Sequence, residues 1–393
     1  MKRRKKTDMD ILFLPSWYES EEEPRSGIFF TEQALALKNE NNRVVIAIVD
    51  ILNFPYKCNA KKFRIIEEKR HGIDIYRIKV PSLMTGRFPS VFFKYYELFY
   101  IKLFEYIFSK GLRFDIMYAH SFWHAGYIGT ILKKRYKIPL IVQEHRSMLI
   151  SYEFSSKINK YLIKTVDDAD AFYCVSEKLR SNIRQRGSKN SNIAILPNMV
   201  ENQFAYSELN NTMFSYTFVG NLIDSKRVVQ LVKCFDKISQ NKKDIILYIA
   251  GEGPLRTELE IYIENHTYLK KKIKLLGLLS REEIRDLLKN TNVLVLPSTY
   301  ETFGVVYIEA LATGRPVIAT KNGGANDIVN SENGILIDVD NDQQLCDAMN
   351  KIYEDYSSYD LVKISNDCIK KYSERAVIGQ LTSKMKEILY DQQ

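Results

Sequence analysis

Thirteen short apolar runs, separated by longer amphipathic stretches, constrain the fold of this 393-residue chain more than any other feature. In the first half they are Ile11–Leu14, Val44–Val49, Ile73–Val80, Ile116–Ala119, Leu140–Gln143, Ala171–Val175 and Ile193–Leu196. In the second half they are Tyr216–Val219, Ile245–Ala250, Ile273–Leu276, Val293–Leu296, Val317–Ala319 and Ile335–Ile337. Most show no alternation of apolar and polar positions. A strand apolar on both sides must be covered on both faces, and helices between such strands do this in parallel sheets. The two sets of runs predict an α/β chain with two Rossmann-like domains, their parallel sheets facing a central cleft. Pro197-Asn198 stops a strand and Asn210-Asn211-Thr212 reads as loop. A first domain is therefore expected over residues 1–205 and a second over 206–371, each long enough for its own core.

Composition narrows the class. The net charge is +9, but the lysines are scattered and no DNA- or RNA-binding motif occurs. The balance fits phosphorylated substrates or an anionic membrane surface better than nucleic acid. Cys58, Cys174, Cys234, Cys346 and Cys368 lie far apart with no C-x-x-C pair, and are expected to be reduced thiols of a cytosolic protein. The basic start, residues 1–6, is followed by no apolar run long enough for a signal peptide. No segment approaches the roughly 20 apolar residues of a membrane span, so a soluble or peripheral protein is expected.

The segment Leu296 to Ala319, LPSTYETFGVVYIEALATGRPVIA, carries the chemistry. It reads as strand, loop, helix and strand, with Glu301 in the loop and Glu309 in the helix. Eight helical residues span about 12 Å, of the order of a pyrophosphate with a sugar on each side. Isolated, an E-x7-E pair is two surface acids. Within P-S-x-x-E-x-F-G and E-A-x-A-x-G-x-P-V-I-A it resembles glycosyltransferase family 4, and the resemblance runs over nearly the whole chain. It implies the GT-B architecture, with the final helix, here residues 372–393, crossing back to the first domain. It also implies transfer of a sugar from a nucleotide diphosphate with retention at the anomeric carbon.

The resemblance assigns roles residue by residue. Glu309 would meet the nucleotide ribose and Glu301 the hydroxyls of the transferred sugar, with backbone amides of Phe303 and Gly304 on sugar or phosphate. The stretch Phe218–Arg227, FVGNLIDSKR, resembles the family's F-V-G-R-L-x-x-x-K-G. Lys226 matches the cation that stabilises the leaving diphosphate. Asn221 replaces the family's Arg, removing a charge and a fork of donors, and Arg227 is the candidate to substitute in part. Leu278 stands where relatives run backbone past the base. Gly251–Pro254 and Gly323-Gly324 read as turns.

In the first domain, Gly27 lies in P-R-S-G-I-F-x-x-E-Q, where the family keeps a loop near the donor phosphates. The acids Glu19 and Glu21–Glu23 read as a solvated loop. His120 and His145 each follow a strand. The resemblance places His120 near the donor sugar, where it could hydrogen-bond or help an acceptor hydroxyl lose its proton. His145 is a candidate for acceptor or donor sugar, and His124 reads as structural. The aromatic stretch 91–108 is either a core helix or one lying on a membrane interface.

The sequence thus predicts a hexosyltransferase-type enzyme. It needs no cofactor and no metal, since Lys226 supplies the cation and no D-x-D pair ends a strand. The donor is a nucleotide sugar, UDP first by family frequency. The acceptor is a glycan or lipid-linked glycan of cell-surface polysaccharide assembly. The expected place is cytoplasmic, peripheral on the inner membrane surface. The alternatives are a sugar-nucleotide epimerase on the same fold and an inactive transferase-like binding protein, the latter motivated by Asn221.

Overall fold

A computed structural model describes residues 9–20, 26–52, 63–81, 88–151, 155–188, 190, 193–209 and 211–391. The basic residues 1–6, Glu21–Glu23, Pro24-Arg25, Cys58 and Asn210, singled out above, lie outside the described residues. The chain forms two compact units. One holds residues up to Val175, Leu179–Pro197 and Val377 onward; the other holds Ser176–Lys178 and Asn198–Ala376.

The first unit is built on β1 (Asp10–Pro15), β2 (Arg43–Leu52), β3 (Ile65–Arg70), β4 (Ile73–Pro81), β5 (Ile116–His120), β6 (Leu140–Glu144), β7 (Ala171–Cys174) and β8 (Ile193–Ile195). They form one sheet in the order β3-β4-β2-β1-β5-β6-β7-β8. Every pairing is parallel except β3 with β4. The order reverses at β1, so the loops after β1 and β5 open at the topological switch point where ligands of such sheets bind.

The second unit is built on β9 (Phe214–Val219), β10 (Ile245–Ala250), β11 (Ile273–Gly277), β12 (Val293–Leu296), β13 (Val317–Thr320) and β14 (Gly334–Ile337). Their order is β11-β10-β9-β12-β13-β14, all parallel. Its switch point lies between β9 and β12. The loops after those two strands carry Lys226 and Glu301.

All thirteen apolar runs are strands. The fourteenth, β3, was missed because Ile-Ile-Glu-Glu-Lys-Arg offers four charges in a row. It pairs antiparallel with β4 through His71-Gly72, both at positive φ. The helix Pro89–Ser109 buries Phe92, Phe93, Tyr96, Tyr100, Leu103, Phe104 and Ile107. Its outer face exposes Val91 and Leu98 beside Lys94 and Lys102.

The expectation of reduced thiols needs correction. Cys234 and Cys346 form a disulfide, with Cα atoms 5.1 Å apart. They lie on neighbouring helices, Val228–Ser239 and Asp342–Glu354. Short-range spacing cannot reveal a pair separated by 112 residues. Cys174 and Cys368 are both buried.

Candidate active site

In the second unit the loop after β12 is sewn to the loop after β13. The Glu301 N–H donates to the Asn322 carbonyl at 3.3 Å, and the Gly324 N–H donates to the Glu301 carbonyl at 3.0 Å. Gly304 follows at φ 84° and caps the helix Val305–Ala312. A Cβ there would lie 2.4 Å from the Tyr307 ring, so the loop can turn into the helix only over glycine. Tyr307 is fully buried, and its hydroxyl accepts from the Asn322 side chain at 3.0 Å. The F-G signature is thus explained by a ring packed beneath the turn. Phe303 is buried against Tyr372.

The Glu301 carboxylate pairs with Lys226 across 75 positions of sequence. Lys226 ends the short 3-10 turn Asp224–Lys226 after β9. That turn is held by the Thr299 N–H, which donates to the Ser225 carbonyl at 2.8 Å. Gly251 stands against the same loop, where a Cβ would lie 1.9 Å from the Gly220 carbonyl oxygen. The G-x-G-P turn is therefore scaffold for the Lys226 loop. Both side chains of the pair keep some exposure, 21% for Lys226 and 12% for Glu301. A partly exposed ammonium can stabilise negative charge brought beside it.

Glu309 sits on the helix after Gly304 and is only 2% exposed. Its carboxylate accepts from Arg281. Burial pushes Glu309 above the ordinary carboxylate range, and the Arg281 charge opposes that. Arg281 also donates to Glu201, from Nε at 2.9 Å and from a terminal nitrogen at 2.5 Å, and its guanidinium lies over the Phe204 ring at 5.1 Å. Sequence reasoning missed Arg281 and Glu201. One signal was available: Ser280 and Glu283 form a capping box, so Arg281 opens the helix Arg281–Lys289. A cation is misplaced at a helix N-terminus unless carboxylates hold it.

The other candidates of this unit separate. Arg227 pairs with Asp340 and Asp342 and lines a cavity of about 390 Å³ with Asp224, Lys233, Glu258 and Tyr300. Its substitution for the missing Arg at Asn221 thus has to compete with two carboxylates. Asn221 is exposed after β9, and Leu278 is exposed after β11.

In the first unit, β5 ends on His120 and β6 ends one residue before His145. Their rings meet, His120 Nδ1 lying 3.1 Å from His145 Nε2. Phe13, Tyr118 and Phe30 wall His120 at ring distances of 4.4, 4.3 and 4.5 Å. Burial, then the charge of His145, pushes His120 well below the usual histidine range, so it is a neutral ring. Glu144 fixes the two strand ends. Its carboxylate accepts from Ser121 Oγ at 2.9 Å, the Phe122 N–H at 2.7 Å, and the His145 and Arg146 N–H groups at 2.9 Å each. Gly27 caps the helix Ile28–Asn39 at φ 73°. His124 is buried at φ 50°.

Among the described residues, no group of three or more His, Cys, Asp or Glu side chains is arranged to hold a metal ion. No helix there is long and apolar enough to cross a membrane.

Residues 29–204 match the family described as Glycosyltransferase Family 4, and residues 199–374 match Glycosyl transferases group 1. The chain is 29% identical over 268 residues to an uncharacterized glycosyltransferase of Methanocaldococcus jannaschii, covering 68% of this chain and 72% of the relative. It is 25% identical over 311 residues to the UDP-Gal:alpha-D-GlcNAc-diphosphoundecaprenol alpha-1,3-galactosyltransferase of Escherichia coli, covering 72% of this chain and 76% of that enzyme. Sucrose-phosphate synthase from Thermosynechococcus elongatus superposes with a TM-score of 0.75 at 17% identity, over 97% of this chain and 100% of that one. HepE of Anabaena, solved with UDP, gives 0.70 at 17% identity, over 96% and 100%. At that identity the last two speak to fold alone.

Proposed function

We propose that this chain, which belongs to glycosyltransferase family 4 and has the GT-B fold, transfers a hexose from a nucleoside diphosphate sugar, UDP-linked in first choice, to a hydroxyl of a glycan or lipid-linked glycan, with retention. The observation that carries this reading is the meeting of Lys226 and Glu301 at the switch point of the second sheet, one loop before the helix that bears Glu309. Lys226 would neutralise charge growing on the leaving diphosphate. Glu301 would hold the sugar hydroxyls and Glu309 the ribose, with the helix N-terminus at Gly304 favouring the phosphates between them. Neutral His120 can hydrogen-bond a hydroxyl of the sugar or the acceptor.

A lipid-linked acceptor is supported by the name of the Escherichia coli relative and by the outer face of Pro89–Ser109, where apolar Val91 and Leu98 alternate with Lys94 and Lys102. The proposal therefore includes a peripheral position at the cytoplasmic membrane surface, a role in cell-surface polysaccharide assembly, and catalysis without a metal.

The test is a thermal-shift panel with UDP, GDP, ADP and CMP on the wild type and on Glu309→Ala. Ligand at 100 times its dissociation constant adds about 2.7 kcal/mol, several degrees for a domain of this size. A shift with one nucleoside diphosphate, lost in the variant, supports the reading and names the donor class. No shift with any nucleotide favours instead a transferase-like binding protein whose donor site was lost at Asn221.

A further inference from the structure

We infer that Arg281, held by Glu201 and Phe204, is a positioning residue that presents the Glu309 carboxylate to the nucleotide end of the donor, an inference that rests on the ribose role proposed for Glu309.

Three features converge. Glu309 is buried on a helix whose neighbours β12 and β13 are apolar but for Thr320. An ionised carboxylate there is costly without a partner. Arg281 supplies the charge through one terminal nitrogen while Nε and the other terminal nitrogen grip Glu201, so the guanidinium plane is fixed from two directions. Phe204 closes one face of that plane at 5.1 Å. A planar fork held this way fixes one oxygen of Glu309 and so sets the direction of the other, which a hydroxyl donor can meet.

On the helix Leu361–Tyr372, packed against the Glu309 helix, Cys368 donates to the Ile308 carbonyl at 3.2 Å. Burial pushes its thiol up to about 12 and raises Tyr372 as well, so both stay neutral. Tyr307, on the same helix as Glu309, is likewise neutral. Glu201 raises the Glu309 pKa slightly and Arg281 lowers it. Arg281 is therefore the group that opposes the upward push of burial on Glu309, and losing it would raise Glu309 further.

The experiment measures binding of UDP-glucose, with GDP-glucose and ADP-glucose in parallel, by calorimetry from pH 5.5 to 8.5. These sugar nucleotides carry no phosphate group that titrates in that window. The proteins are the wild type, Arg281→Met, Arg281→Lys and Glu309→Gln, each checked for a wild-type circular dichroism spectrum. For the preferred nucleotide the wild type should depend less on pH than Arg281→Met. Arg281→Met should bind about 10- to 100-fold more weakly at low pH, the range of one charged hydrogen bond, and recover as pH rises and Glu309 ionises. Arg281→Lys should restore most of the affinity, and Glu309→Gln should bind weakly at every pH. Arg281→Met matching the wild type, or losing affinity by one factor at all pH values with no rescue by lysine, overturns the positioning role and leaves the ribose role standing. Glu309→Gln binding like the wild type, or no sugar nucleotide binding the wild type, overturns both.

Discussion

At the residue scale the decisive contact is Lys226 with Glu301. In the free protein each neutralises the other, so the site is preorganised without an unpaired charge. On the proposed reading the lysine must turn from carboxylate to diphosphate as charge develops there. Lys226→Met should lower kcat by about 10²–10³, the usual cost of one such stabilising donor, with a smaller change in the melting temperature. Steady-state kinetics beside a melting curve checks this; a variant that keeps full kcat would remove Lys226 from the chemistry. Glu301, Glu309 and Lys226 were singled out from the sequence because each sits in a local motif with fixed spacing. Arg281 and Glu201 were not, because a guanidinium clamp joins residues 80 apart in sequence and leaves no local pattern. Arg227 has partners that local sequence does not announce. Its position beside Lys226 suggested the donor, while the fold gives it Asp340 and Asp342, more than 110 residues away.

At the element scale, buried parallel strands announce themselves by unbroken apolar runs, which is why thirteen of fourteen were readable. An antiparallel border strand with alternating exposure, such as β3, has no such run. The helices Val228–Ser239 and Asp342–Glu354 were readable as helices, but their crosslink was not. Cys234–Cys346 closes a long loop and so removes much of the freedom of the unfolded chain. Reducing it, or replacing Cys346 with Ser, should cost about 2–4 kcal/mol, read as a lower urea midpoint. The same shift should appear with reductant on the wild type and be absent with reductant on Cys346→Ser. Arg227 caps one of these helices and Asp342 opens the other, so the bond and the ion pair brace the same end of the pair.

At the scale of the whole molecule, buried histidines couple folded stability to pH. His120 lies well below the usual histidine range, and His124 is pushed down to about 3 by burial and by Arg146. In the unfolded chain both titrate near 6.5. As pH falls below that value the unfolded state gains protons that the folded state refuses, so folded stability falls. Buried Asp50, Glu144 and Glu309 have raised values and act in the opposite sense, since the folded state holds their protons more tightly. A comparison at one position isolates the histidine. Between pH 7 and pH 5 the wild type should lose about 2 kcal/mol more than His124→Asn, one histidine's share of the linkage. Urea melts at both pH values measure it, and equal losses would show that His124 is protonated in the folded state.

The eight-stranded sheet ends, among the described strands, at β3, with Glu67, Glu68, Lys69 and Arg70 in succession. Glu67 is further engaged by Tyr106 and Lys110. An outermost strand is a template on which another copy can add by backbone pairing, and charged side chains along it must be desolvated for that docking. The opposite border, β8, is only three residues long. Neither rim offers a long, flat apolar edge for fibril growth. The segment that hid best from pattern reading is thus the one that guards against aggregation when the protein is crowded or concentrated.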